Sequence, residues 1–338
     1  MSGSAQPSGG NASGGGIRQA NVVQDEGELP VLIHSRVDGP ISQLSFLRKA
    51  LLFAELAMIA YNDEAEASKA AEFAGFPEST FYDRDGSQAY RFRNDHDCVI
   101  ACRGTEPNEW NDIQADANAA AVLAETVGKV HRGFKNEVDD LWPMLETALV
   151  SNDQPLWFTG HSLGGAMATI CAGRCFLSHI ASVPEQLYTY GSPRVGDKRY
   201  INYVKLDHFR FVNNNDIVTR VPPSWFGYRH CGREVYINRN GKLGELGHLA
   251  KRHDRWQGFL RSLKSWKVDH FSDHSLKEYV AAILNAIEES EETVAAGGEA
   301  VIAEDVAADA PKPHVPAPKR DAVDSAVDRR SDAAGAQG

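Results

Sequence analysis

The sequence predicts an α/β protein with a mostly parallel central sheet and helices on both faces. Two observations lead to this fold class. Along the chain, short runs of β-forming residues alternate with segments whose apolar residues recur at helical spacing, which is typical of parallel strands joined by crossover helices. The 338 residues, 42% of them hydrophobic, also provide enough apolar surface for one large core.

The first part of the chain is predicted to form a helix and a strand pair. Residues 42–61 have helical periodicity, with Ser42 available as the N-cap. Residues 89–93 and 97–102 are predicted to be paired strands around the turn NDHD. The predicted inner face of the helix consists of Leu44, Leu47, Leu51, Ala54, Met58 and Tyr61.

Further helices and strands follow. Residues 134–149 are predicted to be a helix that Pro143 kinks, because proline removes a backbone donor. Residues 275–287 are the last predicted helix. Between these helices, strands are predicted at 155–159, 187–190 and 208–212. In a parallel sheet of this kind, the active site lies at the carboxyl ends of the strands.

Composition divides the chain into one domain and two tails. Residues 1–29 are rich in Gly, Ser, Asn and Gln, and residues 292–338 are rich in Ala, Asp and Pro. Both tails are predicted to be disordered. The region 30–291 has the size of a single domain. Most of the negative charge lies at the C-terminal end, because residues 288–338 contribute −7 of the formal −11.

Charge and hydropathy exclude several classes of protein. The charge balance is wrong for a protein that binds nucleic acid, and no basic module is present. The chain contains no apolar run of 18 residues, so no transmembrane segment is predicted. Residues 1–16 lack the basic and apolar regions of a secretory signal, so we expect either a cytoplasmic location or export by another route.

The cysteines are interpreted as buried small residues rather than as a metal or redox site. No C-x-x-C pair occurs, which argues against zinc binding and thiol–disulfide exchange. The pattern is also compatible with one disulfide bond between two of the five cysteines. The five cysteines are Cys98, Cys102, Cys171, Cys175 and Cys231.

The segment FTGHSLGG has the G-x-S-x-G pattern of a nucleophile elbow. Ser162 lies between Gly160 and Gly164, after β-forming residues and before a helix-compatible stretch rich in Ala. In such an elbow the chain reverses over one strained serine, and the glycines are needed because the strand and helix backbones come close. A simple Gly/Ser turn is the alternative, and the flanking pattern disfavours it.

A serine nucleophile needs a base and an orienting carboxylate, which follow it along the chain in folds with this elbow. Asp216, just past the predicted strand FRFV, is the candidate acid, and an Asx turn is its structural alternative. His274, at the start of the last predicted helix, is the candidate base, and a role beside Asp273 at a helix cap is its alternative. Three other histidines compete for the role of base: His270, His248 and His253.

The tetrahedral oxyanion of an acyl-transfer reaction needs hydrogen-bond donors. The backbone N–H of Leu163, directly after the nucleophile, is one candidate. Thr105, which follows the predicted strand 97–102 in the segment CRGT, is the second candidate through its amide and its hydroxyl.

Six segments of the chain also carry a family resemblance: CRGT, VHRGF, GHSLGG, YGSPRVGD, NNNDIVTRVPP and DHSLKEYV. In kind and order they resemble the motifs of class 3 lipases, the fungal-type lipase family of α/β-hydrolases. The resemblance spans about 45–288 and implies the α/β-hydrolase fold. It favours His274 over His270, because an aromatic residue, here Tyr279, follows the family's D-H pair.

The resemblance implies ester hydrolysis by a triad of Ser162, Asp216 and His274. Ser162 attacks the carbonyl carbon while His274 takes its proton, and the oxyanion forms against the amides of Thr105 and Leu163. The alcohol leaves with the proton from His274, and water then hydrolyses the acyl-enzyme. The reaction requires no cofactor and no metal.

Two segments depart from the family pattern. The stretch TEPNEWNDIQADANAA is polar where many members carry an apolar helical lid, which predicts a short or absent lid and weak interfacial activation. The segment 242–268 is amphipathic and has seven basic and two acidic residues. It is predicted either to cap the site or contact anionic lipid between Lys251 and Lys267, or to pack on the core with a solvated basic face.

The leading functional hypothesis is a serine carboxylester hydrolase, most simply a lipase that acts on acylglycerols. A phospholipase A1 or a feruloyl-type or short-chain esterase is the alternative, because each uses the same residues. The polar stretch favours small esters, whereas the basic segment favours lipid surfaces. A non-catalytic binding protein on this fold is disfavoured, because all three triad residues are present.

Overall fold

The structure, a computed structural model, describes seven parts of the chain: 32–104, 120–125, 127–178, 180–214, 216–238, 240–244 and 275–295. The helices in these parts are α1 (Phe46–Ile59), α2 (Glu64–Ala74), α3 (Arg132–Val150), α4 (Leu163–Leu177), α5 (Lys198–Val204) and α6 (Leu276–Ala295). None of these helices is long and apolar enough to cross a membrane.

The strands alternate with these helices as predicted. They are β1 (Glu78–Arg84), β2 (Ser87–Arg93), β3 (Cys98–Cys102), β4 (Ala121–Leu123), β5 (Lys129–His131), β6 (Leu156–His161), β7 (Pro184–Tyr190), β8 (Gly196–Asp197), β9 (His208–Asn213), β10 (Tyr228–Arg229), β11 (Arg233–Ile237) and β12 (Leu243–Gly244).

The described strands form one large sheet and one small sheet. The large sheet has the order β1-β2-β3-β6-β7-β9-β11-β12. Its five central strands, β3, β6, β7, β9 and β11, run parallel, and the pairs at both ends are antiparallel. The small sheet, β10-β8-β5-β4, is antiparallel. The predicted fold class, a mostly parallel sheet between helices, is confirmed.

Each face of the large sheet has its own apolar core. Strand β3 supplies both, because successive side chains of a strand point to opposite faces. Val99 and Ala101 pack with α1, α2 and α6, whereas Cys98, Ile100 and Cys102 pack with α3, α4 and α5. The whole of β3 is buried, as expected for a central parallel strand.

The first helix begins later than its periodicity predicts, and the N-cap prediction is wrong. Ile41–Gln43 forms a separate 3-10 turn, and α1 begins at Phe46. The side chain of Ser45, rather than Ser42, accepts the hydrogen bond from the backbone N–H of Arg48. The turn stays separate from α1 because the backbone of Leu44 and Ser45 is extended, with ψ of 145° and 161°.

Two other helices also extend beyond the predicted limits. Helix α3 contains Pro143 in its interior and continues through it to Val150. Helix α6 runs to Ala295, past the predicted end at residue 287, and its exposed second half is acidic. Glu289 in this half pairs with Lys242 beside β12 at 2.8 Å.

All five cysteines are free in the structure, and four are buried in one core. Burial raises the pKa of the Cys98 thiol to about 11. A hydrogen bond between Cys102 and Cys171, together with burial, raises the pKa of Cys102. The interpretation as buried small residues is confirmed for these four, whereas Cys231 is half-buried. Neutral buried thiols are poor nucleophiles near pH 7.

The carboxylate of Asp97, directly before β3, connects β6 to the 3-10 turn Ile41–Gln43 that precedes α1. Its side chain is 1% exposed. One oxygen accepts from the backbone N–H of Ile41 and the other from the indole Nε1 of Trp157 in β6, each at 2.7 Å. Both donors are buried, so the free energy of unfolding depends on both bonds being made.

We predict that Asp97→Asn lowers the free energy of unfolding by about 1–3 kcal/mol, because an amide oxygen can replace only one of the two acceptors. Urea unfolding at equilibrium measures the change. Asp95→Asn is the matched control, since Asp95 is exposed on the same turn, and it should change stability by less than about 0.5 kcal/mol. Equal effects at the two positions would contradict the role of Asp97.

His208, at the start of β9, is buried without charge. Its Nε2 lies 2.7 Å from the Thr189 hydroxyl and its Nδ1 lies 3.1 Å from the Cys231 sulfur. Burial, helped by the nearby charge of Arg210, lowers the pKa of His208 to about 3. Burial also lowers the pKa of His230.

This arrangement predicts an acid-sensitive fold. His208 stays neutral in the folded state and takes a proton in the unfolded state below about pH 6.5, so its contribution is present above that pH and is lost as the pH falls towards 3. Each such histidine adds a slope of up to about 1.4 kcal/mol per pH unit in this window. His208→Gln should flatten the dependence in urea unfolding between pH 4 and pH 7 by about one proton, whereas the exposed His96→Gln should not. An unchanged slope in His208→Gln would contradict the assignment.

Candidate active site

Ser162 lies at the strand–turn–helix junction that its sequence pattern predicts. The buried strand β6 ends at His161, and α4 begins at Leu163. Ser162 adopts φ 56° and ψ −129°, a conformation that an L side chain rarely takes and that costs about 1–3 kcal/mol. Its N–H donates to the carbonyl of Tyr190 at the carboxyl end of β7, at 3.0 Å, so the neighbouring strand fixes the turn.

Glycines are required on both sides of the elbow by close backbone contact. A Cβ atom at Gly160 would lie 2.3 Å from the carbonyl oxygen of Gly164, and one at Gly164 would lie 2.2 Å from the carbonyl oxygen of Cys102. At Gly104, a Cβ atom would lie 2.7 Å from the carbonyl oxygen of His161 and 3.2 Å from the backbone nitrogen of Gly164. Strands β3 and β6 and helix α4 therefore meet through backbone atoms.

The two candidate oxyanion donors are carried by chain segments that touch. Leu163 is the first residue of α4. Thr105 lies outside the described residues, but Gly104, which precedes it, packs against the backbone nitrogen of Gly164, which follows Leu163. The end of β3 thus passes beside the N-terminus of the elbow helix.

Asp216 is fully buried, just past the carboxyl end of β9. Its Oδ1 accepts from the backbone N–H of Val218 at 2.9 Å, and its Oδ2 accepts from the Tyr279 hydroxyl at 2.6 Å. The Thr219 hydroxyl donates to its carbonyl oxygen at 2.8 Å. The Asx turn considered as an alternative is present, and it fixes the carboxylate while using only one of its oxygens.

The candidate base and its competitors, His274, His270, His248 and His253, lie outside the described residues. The residue after His274, Ser275, accepts through its carbonyl oxygen from the N–H of Glu278 at 3.0 Å, in the first turn of α6. Tyr279 in the same turn carries the hydroxyl that binds Asp216. The start of α6, directly after His274, is therefore tied to the acid.

Two tyrosines, Tyr61 and Tyr279, lie beside the elbow. Neither is a candidate catalytic residue in the sequence pattern. The Tyr61 hydroxyl lies 3.0 Å from Nδ1 of His161, the residue before Ser162. The Tyr279 ring packs edge-on against His161, with centroids 6.3 Å apart, and against Tyr190, 6.0 Å apart. The resemblance drew attention to Tyr279 but not to its bond with Asp216, and no local pattern marks Tyr61, because its contact spans 100 residues.

Comparison with known proteins agrees with this geometry. Residues 99–226 match the family model for class 3 lipases. The match begins in β3, includes the elbow and Asp216, and ends before the region of His274. This region of the chain is similar to the class 3 lipase family.

The relatives of this chain match it over part of their length. The lipase of Rhizomucor miehei is 37% identical over 122 residues, which is 33% of this chain and 34% of that protein. The toxin TseL of Vibrio cholerae is 30% identical over 182 residues, which is 41% of this chain and 28% of that protein. The chain thus matches about a third of the length of these relatives.

A solved structure supports the fold of the lipase-family region. The triacylglyceride lipase of Rhizomucor miehei superposes with a TM-score of 0.50 and 25% sequence identity, over 57% of this chain and 81% of that one. The mostly parallel sheet described above is therefore an α/β-hydrolase fold.

We predict that Ser162→Gly is more stable than Ser162→Ala by about 1 kcal/mol, because glycine adopts a positive φ without strain. Both variants lack the hydroxyl, so their difference isolates the backbone conformation. Thermal unfolding should show a melting temperature about 2–4 °C higher for the glycine variant. A glycine variant no more stable than the alanine variant would mean that the elbow stores no strain.

Proposed function

We propose that this chain is a serine carboxylester hydrolase, a lipase that cleaves acylglycerol esters through an acyl-enzyme on Ser162. One observation carries the proposal: a serine in a strained elbow at the same end of the sheet as the buried carboxylate of Asp216. The relatives named a lipase and a triacylglyceride lipase support the substrate class.

In the proposed triad, His274 is the base and Asp216 orients it. The chain order Ser, Asp, His is that of α/β-hydrolases. The bond between Tyr279 and Asp216 supports this assignment, because it brings the first turn of α6, five residues after His274, to the carboxylate. A buried carboxylate in this position holds the imidazole in one tautomer and stabilises the imidazolium that forms during the reaction.

The proposed reaction runs in two halves. In the first, Ser162 Oγ attacks the ester carbonyl carbon as its proton passes to His274, and the C–O bond of the alcohol then breaks as His274 returns the proton to the leaving oxygen. In the second half, His274 takes a proton from water, and the resulting hydroxide attacks the acyl-enzyme. The carboxylic acid product is released, and His274 returns the proton to Ser162.

The proposed oxyanion hole consists of the amide of Leu163 and that of Thr105. Leu163 begins a helix of 15 residues, and the positive end of the helix dipole favours negative charge at this point. The contact between Gly104 and Gly164 supports the second donor, because it holds the end of β3 against the same helix terminus. Each donor of this type contributes about 10²–10³-fold to kcat.

Two segments outside the described residues bear on the choice of ester. The basic segment between Lys251 and Lys267 supports transient contact with lipid surfaces, and with it a lipase. The polar stretch that begins at Thr105 favours smaller, soluble esters, so a short-chain esterase or a phospholipase A1 is the second candidate function.

We predict that Ser162→Ala lowers kcat/KM for ester hydrolysis by at least about 10³-fold, because the nucleophile is lost, while the fold is retained. Wild type and variant would be assayed on p-nitrophenyl esters from short to long acyl chains, below and above the concentration at which each ester aggregates. Circular dichroism and the melting temperature serve as the control for folding.

The dependence of the wild-type rate on acyl-chain length and on aggregation of the ester distinguishes the candidate functions. A rate that rises sharply when long-chain esters aggregate identifies a lipase. A preference for dissolved short-chain esters with no such rise identifies an esterase. Equal rates in wild type and Ser162→Ala would exclude Ser162 as the nucleophile.

A further inference from the structure

The loop after Asp216 presents two adjacent aromatic side chains to solvent. Ser224–Phe226 forms a 3-10 turn, in which the Trp225 side chain is 81% exposed and that of Phe226 is 58% exposed. We call these two residues the aromatic tip. Large apolar side chains exposed side by side on a surface indicate an interaction site.

We propose that the aromatic tip inserts into the surface of a lipid aggregate that bears anionic headgroups, and holds the open end of the active site against it. The proposal rests on the proposed function, since it supplies the surface on which an acylglycerol ester would be met. It uses a different part of the molecule from the basic segment between Lys251 and Lys267.

The tip follows the loop of Asp216 closely along the chain. Thr219, in the turn Val218–Arg220, donates its hydroxyl to the carbonyl of Asp216 at 2.8 Å. Only four residues lie between Thr219 and Ser224, the start of the tip turn. The tip therefore lies close to the loop that carries Asp216.

A second link runs to the strand beside the elbow. The backbone N–H of Arg194 donates to the carbonyl of Val221 at 2.7 Å, and its guanidinium donates to the carbonyls of Arg220 and Pro222. Arg194 follows Tyr190, which ends β7 and accepts from the N–H of Ser162. The tip thus lies at the end of the sheet that carries the nucleophile.

The backbone of the tip is fixed before any contact is made. Nη1 of Arg229 donates to the carbonyl of Ser224 at 2.7 Å, and the N–H of Gly227 donates to the same carbonyl at 3.1 Å. The rings of Trp225 and Phe226 lie 6.2 Å apart. Because little order is lost on binding, the exposed area contributes more fully to affinity.

Among the described residues, three exposed basic side chains lie near the tip. Arg229 is exposed, as are Lys198 and Arg199. Tyr228, two residues after Phe226, pairs with Asp197 across β10 and β8, which brings the two α5 cations near. The carboxylate of Asp197 accepts from the N–H of Tyr200 as a helix cap. Tryptophan at a lipid interface, flanked by cations, suits a surface with anionic headgroups.

A protein partner fits the tip less well. Two aromatic side chains bury about 150–250 Å² each. A stable protein interface buries about 800 Å² on each partner. A lipid surface needs no matching shape, so a small convex tip is sufficient.

The experiment compares matched pairs of variants in the Ser162→Ala background, in which the lipid is not consumed. The test pair is Trp225→Ser/Phe226→Ser. The control pair is Val150→Ser/Val183→Ser, which removes side chains that are 64% and 44% exposed. Val150 ends α3 and Val183 precedes β7, so both lie at the amino ends of the strands, away from the site.

Binding is measured by sedimentation with vesicles of phosphatidylcholine and phosphatidylglycerol. We expect the test pair to lower the partition coefficient at least about 10-fold and the control pair to leave it unchanged. With Ser162 restored, the test pair should keep its rate on a dissolved short-chain ester and lose rate on aggregated long-chain ester. Wild-type vesicle binding by the test pair would overturn the proposal.

Three further results separate the alternatives. Loss of binding in Lys264→Gln/Lys267→Gln but not in the test pair would assign the contact to the basic segment and overturn the role of the tip. Self-association of wild type that the test pair abolishes, with vesicle binding unchanged, would assign the tip to a second copy of the chain and also overturn the proposal. Wild-type protein that binds vesicles through the tip yet cleaves no ester would support the tip while refuting the proposed function.

Discussion

Contact between backbone atoms at three glycines is the constraint on which the site depends. Gly104 at the end of β3, Gly160 in β6 and Gly164 in α4 lie so close that a side chain at any of them would collide with main-chain atoms. This contact lets the strand turn directly into the helix at Ser162. It also sets the end of β3 beside the helix N-terminus, where negative charge is stabilised.

The rest of the site is assembled from both faces of the sheet. Helix α4, which follows Ser162, belongs to one core, whereas α6, which carries Tyr279, belongs to the other. The carboxylate of Asp216 binds one residue of each core, Val218 in its own loop and Tyr279 in α6. Loosening either core would move one partner of the acid, so the site requires the complete domain.

Local patterns in the sequence predict the fold class and the elbow, because both depend on residues close together in the chain. The glycines around Ser162 and the alternation of strands and helices are features of this kind. The start of α1 was predicted wrongly, because the apolar period continues through Leu44 although the backbone of Leu44 and Ser45 is extended. Helix α2 was not predicted, because its buried face consists of alanines rather than large apolar residues. Strand β1 and the small sheet were not predicted either.

The contacts that complete the site are long-range and could not be predicted from sequence. Tyr61 meets His161 across 100 residues, and Tyr279 meets Asp216 across 63. Asp216 is a candidate because it follows a strand, which is a local feature. The catalytic roles of Ser162 and Asp216 stay predictions. The roles of Thr105 and His274, the segment 242–268 and the boundaries of the tails also stay predictions, because those residues lie wholly or largely outside the described parts of the chain.

Strand β1, at one edge of the large sheet, affects how the protein behaves at high concentration. In the described part of the chain β1 pairs only with β2, so a strand of another molecule could add to the sheet along its other side. Glu78, Asp83 and Arg84 are exposed along it. Charged side chains on an edge strand oppose sheet extension between copies, because a pairing strand would have to desolvate them. The edge itself therefore acts against fibrous aggregation.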